Sequence, residues 1–187
     1  MLGPTDSLID LATVLNDRSE GVYHYQKSTE GGRKREDGQL VQWRTTMPGH
    51  KFSPGVVPFF CADITPRKVR VPLDVEGNTR HENGAVGVSW VRVLSNAAAD
   101  VHKQLSGVLN QSVGVDSPWI LQTPEKEETA YAIVAAPQLD QERTFLQRKG
   151  RETAVYEIGI RLGAGGGPRL GAHDLEHGRL VFEAKSS

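Results

Sequence analysis

The sequence has a single cysteine, Cys61, and no stretch approaching the about 20 apolar residues that a membrane-spanning helix requires. An internal disulfide is therefore excluded, no spanning helix is expected, and a reducing, cytoplasmic setting is the default expectation. Charge of one sign is equally scarce: 22 Lys and Arg face 23 Asp and Glu, for a formal net charge of −1. No single-signed field should draw in nucleic acid or acidic lipid. The longest basic cluster, Arg33-Lys34-Arg35, is followed at once by Glu36 and Asp37 and reads as a solvated turn. The N-terminus has no basic stretch leading into an apolar run, so no signal peptide is expected.

What is present is ordinary globular composition, 37% hydrophobic and 24% charged over 187 residues. That is enough chain for one medium domain or two small modules packed together. Leu8 to Leu15 and Val86 to Leu94 read as strands closed by Asn16-Asp17 and Ser95-Asn96. A helix is predicted from Ala97 to about Leu109, because Ala98, Val101, Leu105 and Val108 fall on one face and Asn110 can stop it. Further strands are expected over Gln39 to Met47, Val56 to Ile64, Lys68 to Val71, Trp119 to Thr123, Thr129 to Ala136 and Thr153 to Leu162. Pro48, Pro66, Pro124 and Pro137 mark strand ends, since proline cannot donate to a ladder. The resulting order, strand, helix and three strands given twice, predicts an α+β fold of duplicated βαβββ modules at about 8–72 and 85–162, forming a half-open barrel around a cleft. Residues 163–187 read as a Gly-rich linker and a polar tail with one short strand at Arg179 to Phe182.

The run GGRKREDGQLVQWRTTMPG, then PFFCADITPRKVRVP, then RHENGAVGVSWVRVL, resembles the glyoxalase-like domain family. Through that family the chain is similar to the vicinal-oxygen-chelate superfamily of glyoxalases, extradiol dioxygenases and bleomycin-resistance proteins. The likeness spans about Leu8 to Leu162. It implies a protein acting on or binding a small carbonyl or vicinal-oxygen compound, with a divalent metal ion as the implied cofactor. Relatives usually carry a histidine strand and a glutamate strand ahead of the segment equivalent to Leu8, and Met1 to Ser7 cannot supply these. A shortened form lacking some ligands is therefore one of the readings, and its exposed first strand would favour a homodimer.

Open metal sites need about three His or carboxylate ligands. Glu157 is the leading candidate, because alternation puts Ala154, Tyr156, Ile158, Ile160 and Leu162 against the helix and Val155, Glu157, Gly159 and Arg161 toward the cleft, unless Glu157 and Arg161 simply accompany each other on a solvated surface. His81, matching the His-x-Asn-Gly-Ala motif, is the second metal or acid/base candidate, or else a surface residue before the Asn83-Gly84 turn. Arg161 would bind an anionic substrate group. Trp90 and Trp43 are core residues or an aromatic wall for a ligand. His173 and His177, four apart, would share one helical face, but their surroundings read as tail. Cys61 reads as a small core hydrophobe, and Asp10 as a cleft or pairing residue. Three functions remain open: a metal-dependent lyase, isomerase or dioxygenase; a metal-free small-molecule binding module; and an inactive truncated paralogue.

Overall fold

The computed structural model describes residues 10–19, 22–49, 57–75, 77–115, 117–122, 129–163 and 170–184. The chain forms two compact units, Met1–Phe52 with Val57–Val75, and Ser53–Val56 with Glu76–Ser187.

The first unit opens with a helix where the sequence reading placed a strand: α1 spans Leu11–Ser19. Its buried residues Ala12, Leu15 and Ser19 are spaced three and four apart, a helical period that the short apolar run had masked. Strands β1 (Thr29–Lys34), β2 (Leu40–Thr46) and β3 (Phe60–Asp63) form an antiparallel three-stranded sheet. The expected strand at Lys68 to Val71 is instead a single helical turn, α2 (Arg67–Arg70). Tyr25 anchors this unit. Its backbone exchanges hydrogen bonds with the Asn16 amide at 2.6 and 2.9 Å, and its hydroxyl donates to the Pro58 carbonyl at 2.7 Å. Asp10 accepts a short hydrogen bond from the Ser28 hydroxyl, so its role is local pairing. Cys61 is exposed on β3, which corrects the expectation of a core position.

The second unit contains β4 (Ala85–Ser95), α3 (Ala98–Leu109), β5 (Trp119–Leu121), β6 (Ala130–Ala135), α4 (Asp140–Lys149), β7 (Thr153–Leu162), β8 (Gly171–Leu175) and β9 (Gly178–Ala184). Helix α3 lies where predicted, and Asn110 ends it in the left-handed conformation, φ 54°. The six strands take the order β5-β6-β4-β7-β9-β8. Neither sheet closes on itself.

The architecture is thus mixed α+β, but among the described residues the two halves do not repeat a βαβββ unit. Helix α4 intervenes between β6 and β7, and the described residues of the first half supply a three-stranded meander. A repeated order exists within the larger sheet instead. Strand β4 is followed by the hairpin β5–β6, which returns with β6 parallel to β4. Strand β7 is followed by the hairpin β8–β9, which returns with β9 parallel to β7. The two triplets meet at the central antiparallel pair β4–β7. The short strand expected at Arg179 to Phe182 is β9, and the rest of 171–184, expected as a polar tail, is built into the sheet with it. The glycines Gly165 to Gly167 lie outside the described residues.

The two helices of this unit cover opposite faces. Trp119 is fully buried, stacks against His102 of α3 at 4.5 Å and donates to Ser106 of the same helix at 3.3 Å. Trp119 pairs with Ala132, and Ala132 with Val91. Paired residues project to one side, so α3 lies on the Val91 face. Leu94, of the opposite parity, packs with Ala154 and Tyr156 against Phe145 and Leu146 of α4.

Candidate functional site

The site is built on the α4 face of the six-stranded sheet, where β7 departs from regular alternation. Arg92 pairs with Glu157 while Val93 pairs with Val155, leaving Tyr156 as an extra residue in β7. Such a bulge turns consecutive side chains toward one side. Tyr156 packs against α4, and Glu157 follows it onto the same face instead of pointing away from it. The expected grouping of Ala154 and Tyr156 with Ile158, Ile160 and Leu162 against the Ala97–Leu109 helix is corrected accordingly. Ala154 and Tyr156 meet α4, and Glu157 lies on the face opposite α3.

Glu157 is buried, at 7% exposure, and forms an ion pair with Arg179 of β9 at 3.1 Å. The parallel register places Arg179 directly beside it. Arg179 also reaches Asp174 of β8 at 3.5 Å. On the other flank Arg92 pairs with Glu142 of α4 at 2.6 Å and lies over the Tyr156 ring at 5.9 Å. Glu142 accepts from the backbone N–H groups of Gln138 and Leu139 as well. Burial opposes its charge, but those two N–H groups and the Arg92 guanidinium outweigh burial and hold its carboxyl below the ordinary value. Burial also raises the Tyr156 phenol, against the pull of Arg179.

Farther along the face, the Trp90 indole donates to Glu183 at 3.3 Å. Trp90 lies over Gly159, where a Cβ would come within 2.5 Å of the ring, so only glycine leaves space for it. Arg161 donates to the Thr129 carbonyl at 2.6 Å. Gly178, which starts β9, sits where a Cβ would meet the Tyr156 carbonyl at 2.9 Å. That close approach lets β9 bring Arg179 up to Glu157.

The sequence candidates are thus only partly assembled. Glu157, Trp90 and Arg161 share one sheet face. His81 does not join them. It is exposed in the turn before β4, where its carbonyl accepts from Gly84 at 2.8 Å. Ala85 opens β4 opposite Leu162, whereas Glu157 lies opposite Arg92, so roughly 20 Å of strand separates the two candidates. Trp43 is half-buried in the first unit, its ring against Gly31. His173 is in β8 and His177 in the following turn, so they do not share a helix. Among the described residues, no group of three or more His, Cys, Asp or Glu is arranged to hold a metal ion. Glu157, already ion-paired to the Arg179 guanidinium, is a poor divalent ligand on charge grounds. The residues present do not fit the metal centre that the resemblance implied.

Arg92, Glu142 and Arg179 were missed as site residues. Their signal was available: Leu180-Val181-Phe182 is a short apolar, strand-like run flanked by Arg179 and Glu183, and Asp140 and Glu142 against Arg148 and Lys149 mark the two ends of a helix.

A family model described as a glyoxalase-like domain matches residues 5–109. The chain belongs to the glyoxalase-like domain family. The matched segment of this glyoxalase-like protein carries Trp43, His81, Trp90 and Arg92, whereas Glu157, Arg161 and Arg179 lie beyond it. No curated protein matches the chain. Among solved structures, it is similar in fold to a crystal structure of a hypothetical protein from Staphylococcus aureus, with TM-score 0.58 and 11% sequence identity. That likeness covers 94% of this chain and 62% of the other, so the chain spans about three-fifths of that protein's length. At this identity the likeness speaks to fold alone.

Proposed function

We propose that this glyoxalase-like protein is a small-molecule binding module whose ligand is a small oxygen-rich anion, such as a 2-oxo or 2-hydroxy carboxylate. The observation that carries the reading is the pair Arg92 and Arg179, set on strands either side of Glu157 on one face. Guanidinium forks match carboxylate geometry, and Trp90 supplies a flat apolar wall beside them. Arg161 is the further cation for a second anionic group. In this reading Glu157 orients Arg179 and yields part of its hydrogen bonding to the incoming ligand.

Calorimetric titration with a panel of 2-oxo and 2-hydroxy carboxylates tests this. Saturable binding that Arg179→Met abolishes, with the circular dichroism spectrum retained, is expected. Absence of binding across the panel would refute it and favour the inactive-paralogue reading.

Family membership favours a second reading, a metal-dependent lyase, isomerase or dioxygenase acting on a vicinal-oxygen compound, in which Glu157 would be a ligand and His81, at the far end of β4, would not share its site. A divalent metal would polarise the substrate oxygens in such an enzyme. Elemental analysis distinguishes the two readings: stoichiometric divalent metal that Glu157→Ala removes would replace the first reading with the second. Light scattering tests the homodimer that accompanies either.

A further inference from the structure

We propose that the basic end of the first unit, the β1–β2 turn together with α2, docks peripherally on an anionic lipid surface. The sequence presents Arg33-Lys34-Arg35 as an isolated run blunted by two acids. The fold adds a second run to it. The Arg35 guanidinium donates to the Val69 carbonyl at 3.0 Å, which fastens the turn against α2 and its Arg67, Lys68 and Arg70. Six cations then gather against four acids, Glu36, Asp37, Asp63 and Asp74. Two of the acids are already engaged: Asp37 with Arg35 at 3.2 Å, and Asp63 with Arg70 at 2.5 Å and with Arg67 at 3.9 Å. Arg33, Lys34 and Lys68 are exposed, and each has no ion pair among the described residues.

Apolar exposure on the same elements selects lipid over nucleic acid. Leu40 pairs with Lys34 at the turn and is 52% exposed. Ile64 and Leu73, three residues before and after α2, are 44% and 57% exposed, and Val75 is 52% exposed. A phosphodiester backbone would leave these side chains in water, and the patch offers no aromatic ring for base stacking. A bilayer interface takes up both, with headgroup phosphates on the cations and the aliphatic side chains among the acyl chains. No described helix is long and apolar enough to cross a membrane, and peripheral docking requires none.

The test is co-sedimentation of the full chain with vesicles of phosphatidylcholine containing about 30% phosphatidylserine, against pure phosphatidylcholine. Binding to the anionic vesicles alone, weakening as salt rises, is expected. The triple variant Arg33→Gln, Lys34→Gln, Lys68→Gln should weaken it on the order of a hundredfold, since each cation contributes roughly fivefold near an anionic leaflet. Leu73→Ser should weaken it severalfold while leaving the salt dependence unchanged. Retained circular dichroism spectra show that the variants fold. Equal binding to both vesicle types, no binding to either, no effect of Leu73→Ser, or tighter binding to single-stranded DNA than to anionic vesicles would each overturn the proposal.

Discussion

Replacing Glu142 by alanine tests the electrostatic joint between α4 and the sheet. The carboxylate is 2% exposed and accepts three hydrogen bonds, from the Arg92 guanidinium at 2.6 Å and from the Gln138 and Leu139 N–H groups at 2.7 and 3.2 Å. Removing one partner of a buried ion pair costs about 3–5 kcal/mol, because the remaining charge stays desolvated. The Arg92 side chain retains 21% exposure, so water relieves part of that penalty and the lower end applies. Loss of the bond from Leu139 at the start of α4 adds about 1 kcal/mol. The expected total is about 4 kcal/mol, read from urea unfolding followed by circular dichroism. Glu142→Gln keeps oxygen for the two N–H groups but not the charge and should cost about 2 kcal/mol. Combination with Arg92→Met should restore much of the loss, since the stranded cation is gone. Acid titration gives an independent check. The carboxyl is held below its ordinary value of 4.5 when folded, so its contribution is full above the unfolded value and vanishes as pH falls through the folded one. The gap between wild type and Glu142→Ala should therefore close below that pH. A loss under about 1 kcal/mol at neutral pH, or a double variant as unstable as the single-variant losses added together, would refute the reasoning.

Gly159→Ala drives a methyl into the Trp90 ring and the Ser89 hydroxyl, within 2.5 and 2.7 Å. It should cost about 1–3 kcal/mol and shift the tryptophan emission. Trp119→Ala empties a fully buried site against α3 and should cost about 3–5 kcal/mol by thermal or urea unfolding. Asn110→Gly, at the left-handed residue after α3, should leave the fold unchanged and stabilise it by up to about 1 kcal/mol, seen as a raised midpoint.

Where hydrophobic period and punctuation agreed, sequence and structure coincide. Trp119, Val134 and Leu94 lie in predicted strands, and Val101, Leu105 and Val108 form the buried face of α3. Two kinds of segment escaped. Helix α1 contributes a small apolar stripe, so its leucines and valine read as a strand. Helix α4 is polar except for the adjacent Phe145 and Leu146, and only its charge distribution and Gly150 betray it. The site was harder still. Glu157 was legible as a residue on a long strand, but its facing depends on the register shift at Tyr156, which only the pairing with β4 imposes. Its partner Arg179 comes from a hairpin whose turn residues and histidines made it look like tail. His81 stood out through a motif and lies at the other end of β4.

The ladder between β4 and β7 joins positions between which the chain builds two helices and two further strands. Closing so large a loop is entropically slow, whereas β9 meets β7 across a much shorter stretch of chain. Glu157 acquires its counter-charge only when that final hairpin zips onto the seam. The counter-charge is thus supplied from nearby sequence, and the costly step is bringing β4 to the edge of β7 across the two intervening helices.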